Sequence, residues 1–482
     1  METEMKKLDL VGTADTDVEI GIIHNERMPH SLRNLSQDEI SDLNRKLVRK
    51  IDCIVLPIIG ILYILNYIDR QNLAAAKLQG IMEDLDMTTQ QFATAISILF
   101  VGYLPFQIPS NLIIAKISRP GLYICVAVVI WGSISAATAA VKTFFPGAMY
   151  YLSAWYNKTE LGKRIAALYI AQQFGNAFGG LFAAGVFELD GKHGIRAWQW
   201  LFIIEGSATV GIGGICAFLM PEFPHNSKIL SPIQRDLAVW RIESESGAAE
   251  GTEKESVLKG FKMAISDPKL LLLILCNLLS QAQGSIANYF PTLVASLGYK
   301  GNTSLLLTAP PYILAGIVYY GLMWYSDCKN VAYRIILACI AIACVMYIIP
   351  MTTLNVGARY FSMMILPFAS VGPQLVLYKT INLHLARPTA KRAAASALVN
   401  AIGGTSNIWA SYLYYAPPQF YTAFGTLMGC ALAFAATITF YRWLVRRENK
   451  RLDSCDPDQI AKVIRGGVTE EMVRLNWRYE MY

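Results

Sequence analysis

Apolar residues run along this chain in long blocks that are nearly free of charge, among them Ile51–Tyr67, Thr94–Ala115, Leu122–Val141 and Leu270–Leu279. A helix rises 1.5 Å per residue, so about 20 apolar residues cross a bilayer core of about 30 Å. Blocks of this size predict an all-α, polytopic membrane protein. Twelve segments can be drawn, at 51–68, 92–114, 121–141, 144–156, 165–187, 199–220, 270–290, 305–325, 333–351, 359–380, 393–414 and 420–443. A polar stretch from Pro221 to Pro268 divides them into two sets of six. The expected organisation is a disordered tail (1–50), a first helical bundle (51–220), a cytoplasmic linker (221–268), a second bundle (269–444) and a tail (445–482).

One segment is too short. Residues Phe144–Tyr156 number 13 and would reach about 20 Å, well under the membrane core. Eleven full spans and one truncated segment are therefore expected.

Composition narrows the class. The chain of 482 residues is 54% hydrophobic and 16% charged, against roughly 25% charged in soluble proteins. A soluble enzyme, a nucleic-acid module and a fibrous protein are excluded. The net charge of +7 lies in loops and tails, where it sets orientation. With the N-terminus in the cytoplasm, the short loops on that side hold ten basic residues, including Lys158, Lys163, Arg164, Lys391 and Arg392. The opposite loops hold seven, including Arg70, Lys77 and Arg196. Both termini and the linker are expected inside. The first 50 residues are polar, so the first apolar block lies too deep to be a signal peptide. The nine cysteines lack metal or disulfide spacing, and no metal or other cofactor is expected. No GxxxxGK[ST], GxSxG or HExxH occurs, which removes ATP-driven pumping and hydrolysis; no catalytic residue is assigned.

The first span ends in Asn66-Tyr67-Ile68-Asp69-Arg70-Gln71-Asn72. Further on come Phe145-Pro146-Gly147-Ala148, Tyr151–Tyr156, Trp200–Gly206, Gln281–Pro291 and Lys391-Arg392. Together these resemble the major facilitator superfamily, and within it the fungal anion:cation symporters that include allantoate, nicotinate and other vitamin permeases. The resemblance covers roughly residues 50–450. It implies two six-helix bundles and import of a small organic anion with protons, by alternating access, through the plasma membrane. It also implies that Thr143 runs into Phe144 where the family has half a helix more, with an arginine and a carboxylate. A monomer with no nucleic-acid partner is expected. Two other readings stay open. One is a non-transporting isoform or sensor-like relic, motivated by the short segment. The other is an exporter of an acidic metabolite.

Intramembrane charge is expensive and marks candidate chemistry. Asp69 and Arg70 close the first span, where a guanidinium fork could bind a carboxylate and the carboxyl could carry a proton; interfacial anchoring is the plain alternative, and the resemblance favours binding. Glu205, in the sixth span, suits either proton transfer or a structural hydrogen bond, and Lys379 either offsets cargo charge or snorkels. Asn66, Asn72, Gln172, Gln173, Asn176, Gln281, Gln283, Asn288, Tyr289, Gln374, Asn400 and Asn407 need partners in lipid and are expected in a central cavity or between helices. Gly175 and Gly179 form a GxxxG read as helix packing. Trp155, Trp198, Trp324 and Trp409 read as interfacial anchors. Asn302-Thr303-Ser304 is a candidate glycosylation site on the outside.

Overall fold

The computed structural model describes residues 28–98, 100–102, 120–136, 155–156, 158–224, 226–227, 229–247, 257–299, 301–329, 331–384, 389–454, 463 and 479. The regular elements among them are all helical. Twelve helices carry labels: α1 Gln37–Leu78, α2 Pro120–Ala136, α3 Lys158–Phe187, α4 Ala197–Leu219, α5 Pro232–Gly247, α6 Val257–Ile265, α7 Pro268–Gly284, α8 Ala309–Lys329, α9 Ala332–Thr352, α10 Val356–His384, α11 Thr389–Gly404 and α12 Tyr421–Asp453. Another helical stretch covers 89–98 and 100–102. Seven helices among the described residues are long and apolar enough to cross a membrane. The expected short segment at 144–156 lies outside the described residues except for Trp155 and Tyr156.

The longest helix, α1, starts where its sequence says it should. Ser36 Oγ accepts from Glu39 N–H and Glu39 Oε2 accepts from Ser36 N–H at 2.8 Å, so two orphan donors are satisfied reciprocally. It stops before Gly80, whose φ of +90° suits a residue without Cβ.

In the first half, α1 packs on α3 and α4, and α2 packs on α4. In the second, α7 packs on α10, α11 and α12, with α9 against α10 and α12. The halves meet where α3 lies along α8. Small residues permit these approaches, as the GxxxG reading anticipates. A Cβ on Gly175 would stand 2.9 Å from Ile64 O and Tyr67 Cβ, and one on Gly179 would stand 3.1 Å from Gln71 Cβ, so both glycines seat α3 on α1. A Cβ on Gly180 would overlap Thr308 Oγ1, so this glycine serves the contact between halves.

The polar stretch 221–268 is more than a loop. It contains α5 and α6, and each rides on its own half. Helix α5 lies on α1, where Arg241 donates to Trp155 O at 2.6 Å and Asn44 Oδ1 at 3.0 Å and pairs with Glu160 at 3.3 Å. Helix α6 packs on α11. Trp155 is fully buried, contrary to its expected place at the interface, because its ring packs in an apolar cluster with Leu47 and Ile51 of α1 and Leu237 and Ala238 of α5. At the same end of the second half, Lys269 at the start of α7 pairs with Glu448 of α12 at 2.8 Å, both nearly solvent-free. Tyr479 closes this pair, its ring 5.2 Å from the Lys269 ammonium and its backbone held by the Asn449 side chain.

Two expected spans are interrupted. The segment 270–290 is α7 followed by a 3-10 turn, Ser285–Tyr289, and a short helix, Phe290–Ala295. The segment 393–414 is α11 followed by Ser406–Ala410 and Ser411–Leu413. Gly284 precedes one break and Gly403-Gly404-Thr405 the other, residues that hold a helix weakly. Irregular backbone at membrane depth is tolerated where protein or a wet cavity covers it. Both breaks border the cavity described next.

Candidate functional site

A cavity of about 1130 Å³, counting its open mouth, lies between the halves. Helical periodicity delivers its walls. On α1, Tyr63, Tyr67, Arg70 and Gln71 recur at i, i+4, i+7 and i+8, one face of the helix. On α3, Tyr169, Gln172, Gln173 and Asn176 follow the same rule. The second half contributes Tyr312 and Tyr319 from α8, Gln374 and Tyr378 from α10, and Asn400 from α11. Gln281, Asn288, Gly404 and Asn407 come from beside the two helix breaks. Nine amides and six tyrosines stand around a single charged side chain, Arg70, among the described walls.

Hydrogen bonds hold these groups in place. Gln71 Nε2 donates to Asn176 Oδ1 at 3.1 Å, tying α1 to α3. Tyr378 OH donates to Asn400 Oδ1 at 2.6 Å and receives Gln374 Nε2 at 3.3 Å. Tyr319 OH donates to Pro367 O at 2.8 Å. The Arg70 guanidinium lies 5.0 Å from the centre of the Tyr67 ring, a cation–π distance. A fixed cation among amides and phenols can take an anion bidentately and hydrogen-bond a polar body.

Of the residues singled out from sequence, Arg70, Gln172, Gln173, Asn176, Gln281, Asn288, Gln374, Asn400 and Asn407 line this cavity. Asp69, Asn66, Asn72, Glu205, Gln283, Tyr289 and Lys379 are not among its walls. Asp69 precedes Arg70 by one residue, and neighbours in sequence do not face the same way on a helix. Asn66 and Asn72 are buried in α1. Glu205 is buried in α4 and accepts from Thr209 Oγ1 at 3.0 Å, one turn along the same helix. Gln283 donates back to Leu279 O at 3.3 Å. Tyr289 donates to Ser411 O at 2.7 Å and stacks on Tyr414. Lys379 donates to Ser326 O at 3.3 Å. Asn302, the candidate glycosylation residue, donates to Glu188 Oε1 at 2.6 Å, and Ser304 of its sequon is buried. No metal-binding group of His, Cys, Asp or Glu occurs among the described residues.

Sequence reasoning missed the tyrosine wall. Its signal was present: Tyr63 and Tyr67 share the heptad-like register of Arg70 and Gln71.

Two helical halves around a polar central cavity define a membrane carrier rather than an enzyme. The chain belongs to the Major Facilitator Superfamily, whose family model matches residues 59–411, and is thus a secondary transporter for small molecules. It is similar to the MFS-type transporter cnsO of Penicillium expansum, 30% identical over 466 residues, covering 89% of this chain and 88% of that one. It is also similar to the major facilitator-type transporter hxnP of Emericella nidulans, at 26% over 471 residues, covering 91% and 94%. Among solved structures, a bacterial homologue of the human lysosomal transporter Spinster, inward-facing and unoccupied, superposes with a TM-score of 0.58 at 14% identity, covering 80% of this chain and 94% of that one. A D-xylose–proton symporter gives 0.55 at 12%, covering 79% and 96%. At such identities these structures speak for the fold alone.

Proposed function

We propose that this transporter carries a small organic anion, a monocarboxylate of nicotinate-like size, together with protons. One observation carries the reading: among the described walls Arg70 is the charged one, set among nine amides and six phenols with Phe100, Ile286, Pro367 and Val371 between them. Its fork matches a carboxylate, and the amides and phenols suit a polar or aromatic body. Asp69, on the adjacent position of α1, is assigned the coupled proton. Exposure of the cavity alternates between the two faces of the membrane as the halves rock about it. The proposed setting is the plasma membrane, as a monomer with both termini in the cytoplasm; the resemblance to the anion:cation symporters and the distribution of basic loops support it.

The test is uptake of labelled nicotinate and related monocarboxylates by cells expressing the chain, with and without a proton gradient. Arg70→Ala abolishes uptake, and Arg70→Lys retains a fraction because a point charge replaces the fork. Asp69→Asn makes residual uptake indifferent to the gradient. Full, gradient-dependent activity in both Arg70→Ala and Asp69→Asn removes the reading.

A further inference from the structure

At the end of the bundle opposite Met28 and Tyr479, the termini of the described chain, the halves are joined by a cation on an aromatic platform. Lys77 lies seven residues beyond Arg70 on α1, roughly 10 Å further along the helix axis. Its ammonium sits 5.0 Å from the centre of the Phe92 ring, in its own half, and 5.7 Å from that of Tyr289, in the other half. The Tyr289 platform is rigid. Its hydroxyl donates to Ser411 O, and its ring stacks on Tyr414 with centroids 4.4 Å apart and planes 13° apart. Asn288, the residue before Tyr289, is a wall of the cavity.

Other contacts between the halves gather near this platform. Thr94 Oγ1 meets Tyr412 OH at 3.0 Å, and Ser97 Oγ donates to Ile408 O at 2.8 Å. Asn302 donates to Glu188. A lysine in a lipid-embedded bundle is retained at a cost that a specific task must offset. Here it lines no part of the cavity, so binding cargo is not that task.

We propose that Lys77, lodged between Phe92 and Tyr289, is the lock of the gate that closes the cavity at the end away from the termini. The ammonium attracts the π-face of the opposite half; the carboxylate that acts on it, Glu83, belongs to its own half and stays with it on parting. The contact breaks as the halves rock apart and re-forms as they close, and Tyr289 transmits the change to Asn288 at the cavity wall. This rests on the transporter reading, in which each gate must open once per cycle, but not on which cargo is carried.

The experiment reads access to the cavity with no cargo present. A cysteine is introduced at the wall by Ala287→Cys, and its reaction with a membrane-impermeant maleimide is timed in intact cells and in inside-out vesicles. The reaction of the chain without Ala287→Cys is subtracted. Lys77→Met and Tyr289→Leu each raise the rate from the face away from the termini by about 5-fold and lower it from the other, in line with one cation–π contact. Lys77→Arg and Tyr289→Phe, which keep cation and ring, stay within about 2-fold of the parent. Unchanged rates from both faces in Lys77→Met, in protein that elutes as a single species, overturn the proposal. If Lys77→Met does not fold, Tyr289→Leu and Phe92→Leu carry the same reading, and unchanged rates in both overturn it. A wrong orientation only exchanges the two faces, and a failed Arg70 site leaves these rates untouched.

Discussion

Gln71 and Asn176 meet across the first half, amide to amide at 3.1 Å, and both are almost wholly buried at the edge of the cavity. The bond joins the helix that carries Arg70 to the helix that runs along the second half. It therefore sets the distance between the cationic wall and the moving interface.

Breaking that bond on one side should cost more than removing it entirely. Gln71→Leu leaves the Asn176 oxygen buried without this donor, a loss of about 1–3 kcal/mol. Gln71→Leu combined with Asn176→Leu recovers most of it. Thermal unfolding in detergent, compared across the parent, the two single variants and the double variant, checks this. Equal losses that simply add would show that the bond contributes nothing.

Gly180 should tolerate no side chain, whereas Gly185 on the same helix should. Nothing lies within 4 Å of a Cβ at Gly185, while one at Gly180 overlaps Thr308 Oγ1 and comes within 3.0 Å of Leu305 O. Gly180→Val should cut uptake to a small fraction of the parent with little loss of surface abundance. Gly185→Ala should transport normally. Uptake normalised to protein at the cell surface separates the two.

The Lys269–Glu448 pair offers a sharper energetic contrast. Lys269→Met alone leaves a buried carboxylate, with a loss of about 3–5 kcal/mol. Lys269→Met with Glu448→Leu recovers only part of that loss, because the buried Asp267 carboxylate, 4.0 Å from the Lys269 ammonium, loses the cation beside it in both variants. Scanning calorimetry or a fluorescence melt of the purified variants reads the difference.

At the opposite end, Asp84 accepts from Arg196 Nε at 2.9 Å and Trp198 Nε1 at 2.7 Å. The hydrogen bond from Arg196, then that from Trp198, holds its carboxyl below the ordinary value of 3.8. A lowered folded-state pKa means that the contribution is complete above the unfolded value and fades as pH falls through the folded one. The rim therefore loosens only below about pH 4. Asp84→Asn should abolish that acid step and lower stability at neutral pH, as melting curves between pH 3 and 7 would show.

The architecture was legible because a membrane forces it to be. Blocks such as Ile51–Tyr67 have no other use at that length, and the amides of α3, Gln172 and Asn176, stand out against apolar neighbours. Which amides share a cavity was less legible. Gln283 and Gln281 are two positions apart, yet one bonds its own helix and the other lines the space, a difference fixed by helix rotation and by the break at Ser285. Glu205 left proton transfer and a structural hydrogen bond both open, and it accepts from Thr209 one turn on, because residue type does not reveal a local donor. The linker helix α5 was hidden by its polarity and α6 by its nine-residue length, since their stability comes from docking Arg241 and from packing on α11 rather than from length of apolar run.

The two interrupted helices flank Gln281, Asn288 and Asn407 in the second half, whereas the described walls of the first half come from the continuous helices α1 and α3 and from Phe100. Where a helix is cut, a few peptide groups forgo their partners one turn away, and the rod can flex at that point for little energy. Among the described residues, the cation therefore stands on a continuous helix and the neutral groups Gln281, Asn288 and Asn407 stand beside interrupted ones. Exchanges of residue beside the interrupted helices can reshape the chamber while Arg70 keeps its station on α1.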